Sequence, residues 1–165
     1  MGVKSTQIYL ATVKAYIIRI YPKKENGKLL NGVINKKLEA LEETLHELES
    51  LGRVSVETLK KDWIIRRAVE RDLQVLVEIV IDVCHRLISG AGMSPATTGA
   101  DAVKKCVRLG VLTSEDPFRQ MVQFRNFIVH RYEQVEPEIL AGIVNKYLQD
   151  FKLFQAEVLR YVRNA

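Results

Sequence analysis

The chain has 165 residues, 47% hydrophobic and 27% charged, with a formal net charge of +5. That is enough for one globular domain, or one domain with an extension, whose core needs no disulfide or metal staple. No apolar run approaches the roughly 20 residues that span a bilayer, the segment 8–21 is broken by Lys14 and Arg19 and lacks the plan of a secretory signal, and the modest basic charge permits nucleic-acid binding without demonstrating it.

Residues 1–33 fit no single element. Positions 8–21 are rich in β-branched and aromatic residues, and a turn-like stretch follows at 22–27. A strand, a loose helix and an extension outside the main domain all stay open. The division expected is therefore 1–33 as an N-terminal extension of unknown role and 34–165 as the folded unit. Residues 35–51 read as a helix: Leu38, Leu41, Leu45, Leu48 and Leu51 form an apolar stripe opposite Glu39, Glu42, Glu43 and Glu47. Gly52 is its stop, and Ser55 caps a short turn through Leu59.

A long helix is expected over 62–88. Ile65, Val69, Leu73, Leu76, Val80, Val83 and Leu87 line one face, and Val77, Ile81, Cys84 and Ile88 a second. A helix apolar on two faces packs on both sides, either centrally in a bundle or across an oligomer contact. Trp63, at its start, reads as a core anchor. Gly90, Gly92 and Pro95 end it, and a shorter helix covers 99–109 before Gly110. Thr113 or Ser114 caps the next helix, with Pro117 in its first turn, and that helix runs to Val129 or His130. Glu136-Pro137 opens a last helix to about residue 162, with Ile139/Leu140, Ile143, Tyr147, Phe151, Phe154, Val158 and Tyr161 as its stripe. No strand pattern competes after residue 34. The fold class is all-α, an antiparallel up-and-down bundle of four to five helices with short connections. Cys84 and Cys106 fall in apolar helical patterns without Cys-x-x-Cys spacing, which predicts buried, reduced thiols in a cytoplasmic protein.

The chemistry concentrates in Arg125-Asn126-Phe127-Ile128-Val129-His130-Arg131-Tyr132. At 100° per residue, Phe118, Met121/Val122, Arg125, Ile128/Val129 and Tyr132 share a face, so Arg125 sits in an apolar row. A buried guanidinium needs an acid or a polar cleft. One reading is structural, an Arg125 tie to Glu70, Glu78 or Asp82 of the long helix, with His130 as a helix cap. The other is catalytic. Histidine can move protons of a ribose 2′-OH and a leaving oxygen, and arginine can hold a phosphate. Asn126 and His130 are i,i+4 neighbours that can touch. Arg125 and His130 lie about 140° apart on a regular helix. They converge only if the helix ends or distorts at His130, or if two copies of the motif face each other. His46 and His85 have no companions at metal-ligand spacing, so no metal site is expected. Gly90-Ala91-Gly92 follows a helix rather than opening one, so no phosphate-binding loop and no cofactor are expected.

The motif Arg125-Asn126-x-x-x-His130-x-Tyr132 resembles the R-x-x-x-x-H-x-Y signature of HEPN ribonucleases, specifically the HepT-like toxins. The stretches DWIIRRAVERDLQVLVEIVIDVCHRLIS (62–89), LGVLTSEDPFRQMVQFRNFIVHRYEQVEPEIL (109–140) and YLQDFKLFQAEVLRYV (147–162) extend the resemblance over 34–165. It implies an all-helical homodimer whose cleft, at the interface, carries Arg125 and His130 as catalytic residues with Asn126 in support. It implies metal-independent cleavage of RNA. It also implies a partner, a minimal nucleotidyltransferase antitoxin of the MntA kind, that silences the toxin by adding AMP to Tyr132. Related bundles serve nucleotidyltransferases without catalysis, as partner or substrate-positioning subunits, and that is the alternative.

Overall fold

A single carboxylate sets the hinge between the second and third helices. In the computed structural model, which describes residues 30–130 and 135–164, the backbone N–H of Asp62 closes α2 (Val56–Lys61) on the Thr58 carbonyl. The Asp62 side chain then accepts from the N–H groups of Ile64 (3.0 Å) and Ile65 (3.1 Å) to open α3 (Trp63–Gly90). These two follow α1 (Leu30–Ser50), and α4 (Gly99–Arg108), α5 (Phe118–His130), α6 (Pro137–Lys146) and α7 (Leu148–Asn164) complete the described residues, among which there is no strand. The expected all-helical bundle is there. It has seven segments among the described residues because the turn at 55–59 is a helix and the last predicted helix is two.

At 28 residues α3 is about 42 Å long and is the bundle's axis. Val69, Leu73, Leu76, Val80, Val83 and Leu87 are buried on one side, and Val77, Cys84 and Ile88 on the other. The two apolar faces thus mean a central position: α1, α4 and α5 pack around α3, with α2 and α6 at its N-terminal end. α1 contributes Ile34, Leu38, Leu41, Leu45 and Leu48 to the core. It is tied to α3 by Lys37–Asp82 at 2.7 Å. Gly52, Gly92 and Gly110 have φ of 65°, 70° and 76°, left-handed conformations that end helices with little strain only at glycine. Cys84 and Cys106 are free and buried in the α3–α4 contact, with Cys106 Sγ 3.8 Å from the Cys84 carbonyl.

Four local expectations need correction. Trp63 is 71% exposed, not a core anchor, because the Asp62 cap makes it the first residue of α3, well ahead of Val69, where the helix enters the core. Leu51 leaves the α1 stripe because the helix stops at Ser50 and the chain turns into Gly52. Neither Thr113 nor Ser114 caps α5. The Thr113 backbone N–H and hydroxyl instead donate to the Glu157 carboxylate of α7 at 3.0 and 2.5 Å, and the Ser114 hydroxyl bonds the Asp116 carbonyl. A buried carboxylate must find donors, and that need outweighs a local cap.

The fourth correction is the break between α6 and α7 at Tyr147, where φ is −117° and ψ is 4°. Asn145 accepts from the Val54 N–H at 3.0 Å and donates to the Val54 carbonyl at 2.7 Å, pinning α6 to the α1–α2 connection. α7 turns away to pack on α1, where Lys152 meets Glu49 at 2.5 Å. Ile139 and Tyr147 drop out of the predicted stripe and are exposed. Leu140, Val144, Leu148, Phe151, Phe154 and Val158 carry the burial. No described helix is long and apolar enough to cross a membrane.

Candidate active site

α5 enters the core and then leaves it. Phe118, Met121 and Val122 are buried, Phe118 edge-on to Phe154 of α7 with ring centres 5.7 Å apart. One turn later Phe124, Arg125, Phe127 and Ile128 are only partly buried. Arg119, Gln123 and Asn126 are exposed, so they lie on the solvent face of α5. The entry end of α5 is close-packed at Gly99 of α4. A Cβ there would lie 3.1 Å from the Val122 Cβ and 3.4 Å from Ile81 Cδ1 of α3, so glycine is what lets the three helices meet.

Arg125 holds the place expected of it, in the apolar row of α5 and partly covered. Its Nε is buried without a hydrogen-bond partner among the described residues. The acids weighed as its structural partners are engaged elsewhere. Glu70 faces Arg66 and Arg67, Glu78 accepts from Gln74, and Asp82 pairs with Lys37 and Arg86. Asn126 projects from the adjacent exposed face, so it and Arg125 share a turn but not a direction. His130 is the last residue of α5. Its side chain, and Tyr132 altogether, lie outside the described residues, as does any meeting of Asn126 with His130.

Beyond the motif, Val135 is buried in the core. Its carbonyl accepts from an Nη of Arg66 at 2.7 Å. Arg66 Nε in turn lies 3.4 Å from Glu70 Oε1, with the two side chains 17% and 12% exposed. Sequence reasoning missed Arg66. The available signal is an oppositely charged i,i+4 pair set beside the apolar stripe of a core helix, where a solvated pair is not expected. An open groove of about 480 Å³ runs along the last turns of α7 past Glu157 and Arg160. Among the described residues, none of α5 lines it.

Solved structures share the fold. A tri-AMPylated Shewanella oneidensis HEPN toxin in complex with an MNT antitoxin matches with a TM-score of 0.68 at 20% identity, over 76% of this chain and 96% of that one. A toxin–antitoxin crystal structure with AMP-PNP gives 0.69 at 19% identity, over 77% and 97%. In sequence, the mRNA nuclease HepT of Shewanella oneidensis is 21% identical over 127 residues, 76% of this chain and 95% of that protein. The tRNA nuclease HepT of Aphanizomenon flos-aquae is 21% identical over 132 residues, 79% and 90%. The family model described as Ribonuclease HepT-like matches residues 41–158, and the chain, which carries the R-x-x-x-x-H-x-Y motif within that span, belongs to the HepT-like ribonuclease family.

Proposed function

We propose that this protein is an endoribonuclease, the toxin of a two-component pair, acting in the cytoplasm as a homodimer with Arg125 and His130 in its cleft. The observation that carries the site assignment is Arg125, a partly buried guanidinium with its Nε unmatched among the described residues, while Glu70 and Asp82 of α3 face other cations and Glu78 accepts from Gln74. A cation held that way suits an anion that arrives from outside, and an RNA phosphodiester is such an anion. In this reading His130 takes the proton from a ribose 2′-OH as that oxygen bonds to phosphorus. The bond from phosphorus to the 5′-oxygen breaks, and the His130 of a second copy protonates the departing oxygen, with no metal ion required. Arg125 stabilises the charge on the phosphoryl oxygens, and Asn126 supports His130 from the exposed face. Phe124 and Ile128, only partly covered in one copy, add apolar area to a dimer contact on this face.

The folded unit in this proposal is 34–165, with 1–33 an extension. The family match beginning at residue 41 supports that division. The partner is a minimal nucleotidyltransferase of the MNT kind that transfers AMP to Tyr132, adding bulk and negative charge beside the cleft. The relative captured AMPylated with its MNT antitoxin supports this. The alternative of a non-catalytic helical partner needs Arg125 as a structural tie, and the engagement of Glu70, Glu78 and Asp82 elsewhere leaves it without the acids it would use.

The test is cleavage of RNA by purified wild type, Arg125→Ala and His130→Ala. Each substitution is expected to lower the rate by about 10²–10⁴-fold, the range of one proton-transfer or charge-stabilising group, with helicity and oligomeric state unchanged. Equal cleavage by all three proteins would refute the assignment.

A further inference from the structure

We propose that Arg66, oriented by Glu70, is a positioning residue for the catalytic motif: it holds the chain where that motif ends. The proposal rests on the ribonuclease reading above. Contacts with α3 hold the chain on either side of the motif. Its entry is fixed by the Val122–Gly99–Ile81 packing. Its exit is fixed by the Arg66 bond to the Val135 carbonyl, 2.7 Å long between residues 69 apart in sequence. Positions 125, 130 and 132 all fall between these anchors.

The exit has little local support. Glu136, the N-cap of α6, makes no side-chain cap bond. The turn is instead held from α2 and α3, by Arg66 on Val135 and by Lys60 on Glu138 at 2.6 Å. The Lys60 pair is more than half exposed, whereas Arg66 and Glu70 are at 17% and 12%. The Arg66–Glu70 contact is a poor one by the standards of a stabilising pair. Its closest atoms are 3.4 Å apart, and both Arg66 Nε and Glu70 Oε1 are buried without a hydrogen bond among the described residues. Two apolar side chains would fill that space at lower cost. What they would not do is present a donor to the Val135 carbonyl. Glu70 sets the direction of the guanidinium, and the guanidinium sets where the chain re-enters the core, three residues after Tyr132.

Loss of that anchor leaves the folded core on α3 and removes the restraint on the chain that follows α5. The proton-transfer group is then misplaced relative to the phosphate, and a shift of about 1 Å in such a group costs on the order of 10²-fold in rate. The experiment is steady-state cleavage of a defined RNA by the full chain, comparing wild type, His130→Ala, Arg66→Met, Arg66→Lys and Glu70→Gln at a temperature where all are folded. Arg66→Met is expected to lower kcat about tenfold to a hundredfold with KM little changed. Arg66→Lys restores most of it, because an ammonium still donates to the carbonyl. A purely structural role predicts a fall in the folded fraction with normal kcat per folded molecule and no rescue by lysine, and that result overturns the proposal. If Arg66→Met does not fold, Glu70→Gln decides: reduced kcat at constant KM supports the positioning role, and wild-type kcat overturns it. Cleavage abolished by His130→Ala but untouched by Arg66→Met sinks the positioning role alone. Equal cleavage by wild type and His130→Ala sinks the ribonuclease reading and this proposal with it.

Discussion

Buried polar groups in this molecule are settled pair by pair, and each settlement fixes what the neighbouring residue can do. Glu157 takes both donors of Thr113, and Glu70 faces Arg66 and Arg67, so each of these carboxylates has another residue's donors or charge beside it. Leaving a buried donor unmatched costs about 1–3 kcal/mol, which is why the Nε of Arg125 draws attention as a place for an anion. The two cysteines show the opposite condition. The Cys84 thiol is pushed well up by its contact with Cys106 and by burial, and the thiolate is the reactive form. Neither thiol is expected to react with a disulfide reagent in the native protein, and both are expected to react promptly once the chain is denatured. Rapid release of chromophore from the native protein would contradict the packing of α3 on α4. This much was legible beforehand, since both cysteines lie at apolar helical positions. Trp63 was misread by the same logic, because periodicity does not say where along a helix the core begins.

At the scale of elements, the sequence marks helix ends well when the stop is local and poorly when it is not. Gly52, Gly92 and Gly110 each sit at a predicted end with positive φ, because the turn itself requires that residue. The Tyr147 break carries no such mark. It follows from Asn145 bonding Val54, 91 residues away in sequence, and the engagement of Thr113 away from α5 follows from Glu157, 44 residues away. The candidate site divides the same way. The row containing Arg125 and the exposed stripe containing Asn126 follow from the period of one helix, whereas Arg66 acquires its place only through a contact with Val135. Asp62 is the clearest test of a local signal, since one side chain caps the bundle's central helix with two bonds. Asp62→Ala is expected to cost about 1 kcal/mol and to lower Tm by about 2–4 °C, read by thermal unfolding followed by circular dichroism. An unchanged Tm would mean that α3 is held by packing without its cap.

Across the whole molecule, α1 and α3 are joined by apolar packing and by the Lys37–Asp82 pair, whose strength depends on pH. Burial acts against the charge on Asp82. Hydrogen bonds from Lys37 and Arg86 outweigh it and hold the carboxyl below its ordinary 3.8. A carboxyl with a lowered folded-state pKa binds its proton more readily in the unfolded chain, so its stabilisation is present above the ordinary value and is lost as pH falls through the lowered one. Asp72 and Asp150 run the other way. Burial, joined at Asp72 by Glu47 against the opposing pull of Arg71, raises both. Their charged forms are a cost at neutral pH that is relieved as pH falls through their raised values. The acid-unfolding curve of the wild type therefore sums opposed contributions, and only a difference between variants isolates Asp82. The Lys37 and Asp82 side chains are 37% and 36% exposed, so solvent screening limits the tie to a few tenths of a kcal/mol, at most about 1. Asp82→Asn is expected to be less stable than wild type by that amount in denaturant titrations at pH 7. The gap closes as the pH is taken below 3.8 and through the lowered pKa of Asp82. A gap that persists unchanged into acid would show that asparagine disturbs the packing of α1 on α3 rather than removing a charge, and high salt at pH 7 separates the two causes, since screening shrinks only the electrostatic one.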